Sequence, residues 1–445
     1  MHHSYEALDK PGGMSRRGLL APLRRRDFRL LWAGTGVSLL GDGVFVVALA
    51  WQVYALSDVP TAMGVVGAAM TVPTIGALLL GGIASDRLDR RRLLLAADLL
   101  RLVAVGLLAA LSLTGALALW EVVGLVAVYG IGQGVYAPAF DAFVPGLVPR
   151  SELAQANAID QMVRPVALRL AGPALGGVLT GALGAGAAFA FDAASFALCA
   201  AGVLALAHRP APPDPTRHSA LADLRDGLRF LRGRAWLWAT FAAAAVAYLL
   251  FMGPVEVLLP FVVKHRLHGG AGELGAVFAA GGVASVAAAA VMGRRGLPGR
   301  EMTFICLVWT VATLAVAGYG LSTQLWQLML ASAAFNALET AGTIVWATLK
   351  QREVPQAMLG RVSSLDWLIS IGLLPLSFAI TGPAAEALGA QTMLVIAGTA
   401  GAAVTLSALF LPGMRDVERA PATPERLPEA RPDAGRRGRT SSEAA

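Results

Sequence analysis

Few residues in this chain have the chemistry to do work, and most of those sit in apolar company. Asp42, flanked by Gly41 and Gly43, lies deep in a run that begins near Phe28. At the rise of a helix it stands roughly 21 Å along that run, close to the middle of a hydrocarbon layer about 30 Å thick. Glu339 lies comparably deep in another run, with Asn336, Thr340 and Thr343 within a turn of it. Hydrocarbon penalises ionisable groups, so both carboxylates are functional candidates. The polar stripe around Glu339 must face protein or water. One mid-depth carboxylate in each half is what a central cavity for a proton and a cationic or polar substrate needs. The competing reading makes each a structural carboxylate bonded to a neighbouring helix.

Other charges invite milder readings. Asp98 and Arg101 are three residues apart and share a helical face. With Arg164 and Arg169 they predict an interhelical charge network whose role is structural pairing. Asp192 and Glu256 fall near the outer ends of their runs, where hydration lowers the cost of charge. Glu256, between Pro254 and Pro260, would mark a mobile outer segment. Cys199 and Cys306 lie within apolar runs, so neither a disulfide framework nor a metal site is expected. No Gly-x-x-x-x-Gly-Lys-Ser/Thr loop is present, so ATP is not the direct energy source, and no cofactor or enzymatic activity is expected.

The elements that position these residues follow from composition. Hydrophobic residues make up 56% of the chain and charged residues 15%, against about 25% charged in soluble domains. Mean hydropathy is +0.62. These values predict an all-α integral membrane protein. Twelve spans are read, at 30–55, 61–84, 93–115, 119–139, 163–184, 187–207, 235–262, 273–293, 302–321, 325–348, 362–384 and 390–412. Of 36 Lys and Arg residues, 31 fall in the tails and in the connections that twelve spans place on one side. The exceptions are Arg101, Arg164 and Arg169 within spans, and Lys264 with Arg266 on the other side. This asymmetry puts both termini in the cytoplasm of a multi-pass cell-membrane protein. The net charge of +7 is therefore a topology signal, and no nucleic-acid partner is expected.

The expected organisation is a cytoplasmic tail (1–29), a six-helix bundle (30–207), a cytoplasmic linker (208–234), a second six-helix bundle (235–412) and a disordered cytoplasmic tail (413–445). The first tail is polar and basic, so the first span is expected to act as its own insertion signal. Prolines at 210, 212, 213 and 215 make the first half of the linker extended. Its second half, Ala220–Arg232, alternates leucines and arginines as an amphipathic helix lying on the inner leaflet would. The halves also echo each other at an offset of 206 residues: Val148-Pro149 with Val354-Pro355, Leu153 with Leu359, Asp160 with Asp366. Parallel repeats of this kind place a substrate site near the midplane between them.

Two motifs carry a family resemblance. The loop Gly82-Ile83-Ala84-Ser85-Asp86-Arg87-Leu88-Asp89-Arg90-Arg91-Arg92 follows the second span, and Gly172-Pro173-Ala174-Leu175-Gly176-Gly177 lies in the fifth. Phe28-Arg29-Leu30-Leu31-Trp32, Ser38-Leu39-Leu40-Gly41-Asp42 and Gly360-Arg361-Val362 add to it. Over about Phe28 to Pro412 the chain resembles the exporter branch of the major facilitator superfamily. The resemblance implies twelve transmembrane helices in two parallel six-helix repeats. It also implies a secondary transporter, acting as a monomer, that exports a drug, siderophore or other secondary metabolite by alternating access in exchange for protons. Its partners would be the substrate, protons and membrane lipid. Asp42, Glu339, Gln133 and Arg101 are the expected proton and substrate set. Gly82, Asp86, Arg87, Arg90 and Asp366 are the expected cytoplasmic gate, with Arg87 and Arg90 pairing to Asp366 or to helix ends across the halves. Gly172, Pro173, Gly176 and Gly177 are the helix-five exporter motif, whose glycines let a partner helix approach. Two positions depart from the pattern. Gly130 stands where many proton-coupled exporters have arginine, leaving Arg101 or Arg169 as its substitute, and Asp89 replaces a loop glycine. A proton- or sodium-coupled importer and a non-transporting scaffold or receptor are the alternatives. The scaffold predicts Asp42 and Glu339 buried between helices, with no cavity between the halves.

Overall fold

In lipid a backbone must satisfy its own N–H and C=O groups, and a run of apolar residues does so as a helix. The computed structural model describes residues 20–149, 152–207 and 220–419. Among these residues there is no strand, and twelve helices are long and apolar enough to cross a membrane. They are α1 (Arg26–Leu56), α2 (Pro60–Gly81), α3 (Arg90–Leu113), α4 (Leu119–Gly146), α5 (Gln155–Leu183), α6 (Ala185–Leu204), α7 (Ala235–Arg266), α8 (Ala271–Arg295), α9 (Glu301–Leu321), α10 (Leu325–Glu353), α11 (Arg361–Leu388) and α12 (Ala390–Ala408). Several run beyond the apolar stretches because their charged ends continue as helix; α1 starts in the arginine-rich segment before Phe28 and α10 carries on through Lys350 and Arg352.

The helices form two six-helix repeats, α1–α6 and α7–α12, each with its own apolar packing. Phe45, Val105, Val126, Tyr129, Phe189 and Phe196 knit the first together. Phe251, Leu258, Val316, Tyr319, Leu328 and Leu394 do so in the second. The repeat shows in the turns and kinks. Gly184 (φ 87°) joins α5 to α6 and Gly389 (φ 86°) joins α11 to α12, each in the left-handed region that a side chain would strain. In α5 the segment Val166–Ala171 is π-helical. Adding the repeat offset of 206 to Val166 gives Gly372, where α11 breaks between Gln356–Gly372 and Leu374–Leu388.

The start of α1, the end of α12 and the linker helix Ala220–Arg232 lie on one face of this bundle, here the terminal face; Ser57 and Pro60 lie on the far face. The halves meet along α2 with α11 and along α5 with α8. Glycines make these crossings close. A Cβ on Gly177 would lie 2.8 Å from Gly275 Cα, and one on Gly67 would lie 3.1 Å from the Phe378 ring.

The linker helix Ala220–Arg232 departs from the expected pose. Leu228 and Leu231 pack with Trp236, Met302, Val362 and Leu365, so this part of its apolar face is spent on the second repeat instead of on lipid. A helix tethered two residues before α7 finds that protein groove before it finds a membrane. Residues 1–19, 208–219 and 420–445, which hold most of both tails and the proline-rich half of the linker, lie outside the described residues.

Candidate functional site

The first charged site is dry. Asp42 on α1 accepts a 2.7 Å hydrogen bond from the Tyr129 hydroxyl of α4. Its other oxygen stands 4.0 Å from the Arg101 guanidinium of α3. Arg101 is 1% exposed. It donates to Asp98 Oδ1 at 2.5 Å and to Gln133 Oε1 at 3.1 Å. Its flat faces meet the rings of Tyr136 and Phe196, at 4.3 and 4.4 Å from the centroids. Gly132 makes room for it, since a Cβ there would lie 2.7 Å from Arg101 Cγ. Asp192 on α6 joins the cluster: its Oδ1 accepts from Ser195 at 3.2 Å and lies directly against Gly41.

Asp42, Arg101 and Gln133 are thus brought together as expected, and Asp98 joins them, but the site is inside the first repeat and not between the two. Asp192, read as a hydrated outer-end carboxylate, is fully buried here. The azimuth of a side chain around its helix decides this, and depth along the helix says nothing of it. Asp42 and Asp98 flank one guanidinium, and Asp192 is buried beside them against Gly41. Asp98 Oδ2, Asp192 Oδ2 and Arg101 Nε have no hydrogen-bond partner among the described residues. Gly130 needs no arginine, because α2 fills that place: a Cβ on Gly130 would fall on the Met70 carbonyl and 2.8 Å from Thr74. The guanidinium comes from α3 instead.

The second charged site is wet and spans the repeats. Glu339 stands at the middle of α10, facing Arg169 at the middle of α5, with Arg169 Nη1 to Glu339 Oε2 at 3.3 Å. The side chains are 53% and 21% exposed. Glu339 Oε1 accepts from Thr343 at 2.9 Å. Glu339 therefore does not share a cavity with Asp42, and the expected network of four charges divides. Arg101 pairs with Asp98, Arg164 with Asp160 at 3.1 Å, and Arg169 with Glu339. Arg169, read as part of an inner charge network, lies in the π-helical turn, which shifts its register away from a 3.6-residue period.

Pairs at the two faces behave differently. On the far face Asp58 accepts from Lys264 at 2.7 Å and from His265 at 3.1 Å, across the repeats. Those two donors hold its carboxyl below the usual carboxylate range. Lys264 also donates to the Tyr54 carbonyl, and the Tyr54 hydroxyl donates to the Val257 carbonyl at 2.6 Å. Arg266 caps α9 through the Gly320 carbonyl. The two cations that broke the charge asymmetry are thus both engaged.

On the terminal face, among the described residues, Asp366 and Arg90 make contacts within their own repeats. Asp366 accepts from Lys350 and from Trp346 (3.0 Å), both of its own repeat. Arg90 donates to the Ala142 carbonyl at 2.9 Å, also within its repeat. Gly82, Asp86 and Arg87 belong to the helix ending at Arg87, and their side chains lie outside the described residues. Asp89 caps α3 by accepting from the Arg91 N–H at 2.9 Å, which is the use of a carboxylate in place of glycine. Arg91 reaches the Val203 and Leu204 carbonyls that end α6.

The exporter motif divides its glycines between neighbours. Gly172 and Gly176 face α1, where Cβ atoms would lie 2.6 Å from Gly43 Cα and 2.9 Å from Val44 Cα. Gly177 faces Gly275 of α8 in the other repeat. Pro173 starts the last α-helical part of α5 after the π segment, where its missing N–H costs little.

The sequence pattern of the family described as "Transmembrane secretion effector" matches residues 17–435. The chain is 29% identical over 350 residues to the enterobactin exporter EntS of Citrobacter koseri, covering 76% of this chain and 80% of that protein. Among solved structures it is similar to the nucleoside transporter NupG (TM-score 0.63, 12% identity, 85% of this chain and 98% of that one). It is also similar to a bacterial homologue of the iron transporter ferroportin in an inward-facing state (TM-score 0.62, 17% identity, 87% and 98%).

Proposed function

Because the chain belongs to the transmembrane secretion effector family of the major facilitator superfamily, and is therefore a multi-pass membrane transporter of small molecules, we propose that it exports an amphiphilic organic molecule by alternating access in exchange for protons. The observation that carries the proton is the dry cluster. Three buried carboxyl groups with one guanidinium, two of the carboxyls with an orphaned oxygen, cannot all stay charged away from water without large cost. Protons balance the excess. The state in which Asp42 gives up its proton is the state in which α1 and the helices around it are rearranged, and that linkage ties proton movement to the alternation of the repeats.

The far-face contacts between the repeats, Asp58 with Lys264 and His265, support reading this arrangement as the inward-facing member of the cycle. The distribution of arginine and lysine supports cytoplasmic termini. Substrate would then enter from the terminal face and reach the wet pair at mid-depth.

The test is Asp42→Asn, which keeps shape and hydrogen bonding but cannot exchange a proton. In proteoliposomes it should lose efflux driven by a pH gradient, at unchanged yield and thermal stability, while Asp42→Glu keeps part of the activity with a shifted pH optimum. Normal gradient-driven efflux by well-folded Asp42→Asn protein would refute the coupling role. Low yield and a lowered Tm would instead make Asp42 a structural carboxylate.

A further inference from the structure

Spare bonding capacity at the wet pair is lopsided. Glu339 has both oxygens occupied, one by Arg169 and one by Thr343. Arg169 has five N–H donors and spends one of them, in a single 3.3 Å contact, while 53% of its side chain is exposed at the middle of the bundle. A lone, long, solvated contact of this kind is worth little. A carboxylate or phenolate that meets two donors of the guanidinium side by side forms shorter, charge-assisted bonds and outcompetes it.

The surroundings are aromatic. Phe335 lies one helical turn before Glu339 on α10, and the aromatic set continues to Tyr248 of α7. Tyr248 packs on Phe251 (5.6 Å between centroids), which packs on Phe335 of α10 (5.8 Å). Met252 and Phe335 are half-buried members of the same apolar set. A cation with open donors beside an aromatic wall fits a ligand that is flat, apolar and negatively charged at one edge. The sequence had suggested a cationic or polar substrate on the strength of one mid-depth carboxylate in each half, Asp42 and Glu339; the placement of Arg169 favours an anion instead.

From this we infer that Arg169 is the substrate's anion receptor, and that Glu339 occupies it when substrate is absent. The transported class is then an aromatic or amphiphilic organic anion. Substrate displaces the Glu339 carboxylate, and the ion pair between α5 and α10 is exchanged for two contacts to the ligand, one from each repeat. This rests on the transport reading above but needs no proton coupling, so equilibrium binding without a pH gradient tests it separately.

Titration calorimetry on the full chain in nanodiscs, with 2-naphthoate as the anionic probe and tetraphenylphosphonium as the cationic one, decides it. Wild type should bind naphthoate, and Arg169→Gln should weaken it about tenfold or more, the scale of a lost charge-assisted hydrogen bond. Glu339→Gln should tighten naphthoate binding several-fold by removing the competitor, a gain that no folding defect can imitate. Wild type without naphthoate affinity, Arg169→Gln binding it as wild type does, or Arg169→Gln tightening tetraphenylphosphonium would each overturn the inference. Failure of the Asp42→Asn test with these results intact would sink proton exchange and leave the anion receptor standing.

Discussion

Replacing Gly177 by alanine should open the far face without unfolding the protein. The new Cβ would lie 2.8 Å from Gly275 Cα and 2.9 Å from the Ala271 carbonyl. Carbon contacts settle near 3.5–4.0 Å, so the α5 and α8 backbones must part by roughly 0.7 Å or more. Overpacking of this size costs about 1–3 kcal/mol. The contact joins the two repeats, so the cost falls on the far-face-closed state and is relieved when the repeats separate there. That converts to a shift of about 5- to 150-fold in the balance of the two states. Gly176→Ala is the control. Its Cβ would lie 2.9 Å from Val44 Cα, inside the first repeat, so it puts no strain on the seam between the repeats. Spin labels on Ala116→Cys and Thr323→Cys, exposed on the far side of each repeat, report the separation. The native Cys199 and Cys306 are buried and stay unlabelled. A longer distance should gain population in Gly177→Ala only, and Gly176→Ala should lower Tm with the wild-type distance distribution. Identical distributions in both variants and wild type would refute the view that this glycine pair is a moving seam.

Asp58→Asn should open the far face by the same label pair, because the acceptor shared by Lys264 and His265 loses its negative charge. The Asp58 carboxyl is held below its ordinary range, so its latch is fully present above about pH 4 and lost only as pH falls through the depressed value. Acidifying from pH 7 to 5 should therefore leave Asp58 paired, and protonation of that carboxyl within this interval, read by infrared spectroscopy, would contradict the assignment. Arg101→Gln should cost about 3–5 kcal/mol, since it strands buried carboxylates, and should appear as lost folded yield. Arg101→Gln protein of wild-type Tm would mean that the cluster does not depend on its guanidinium. Gly177→Leu should go beyond the alanine change and abolish export or leave an uncoupled leak, measured as substrate and proton flux in proteoliposomes.

The spans were legible because lipid leaves an apolar run one structure, and the charge asymmetry was legible because short basic connections resist translocation. The 206-residue echo between Asp160 and Asp366 anticipated something it did not name: the π segment of α5 and the break in α11 fall at matched positions. What one sequence hides is azimuth and pairing. Asp42 and Glu339 lie at similar depth, yet one turns into the first repeat and the other toward the interface. Asp192 sits near an end by count, but Gly41 lets α1 press against it and bury it. Arg90 and Asp366, expected to pair, meet Ala142 and Lys350 within their own repeats, and nothing in the sequence marks those partners. Lys264 and Arg266 were visible only as exceptions until their partners Asp58 and Gly320 came beside them.

The dry cluster and the wet pair share a joint. Gly43, next to Asp42, has no room for a Cβ: it would lie 2.8 Å from the Ala167 carbonyl and from Gly172 Cα. Ala167 belongs to the π-helical turn that carries Arg169, and Gly172 is the first residue after it. The other side of the same turn is pressed by α8, where Gly282 lies against the Arg169 and Leu170 backbone. A π-helical turn holds one residue more than the α-helix around it and can shed it at modest cost, so it is the compliant point in an otherwise stiff rod. Motion of α1 past α5 that follows a change of charge at Asp42 must be taken up there, because both neighbours touch backbone and leave no side chain to yield. The segment that absorbs the motion is the one that presents Arg169. Under the proposed proton exchange at Asp42 and anion binding at Arg169, the two sites would influence each other through this six-residue π-helical segment, without any direct contact between Asp42 and the substrate.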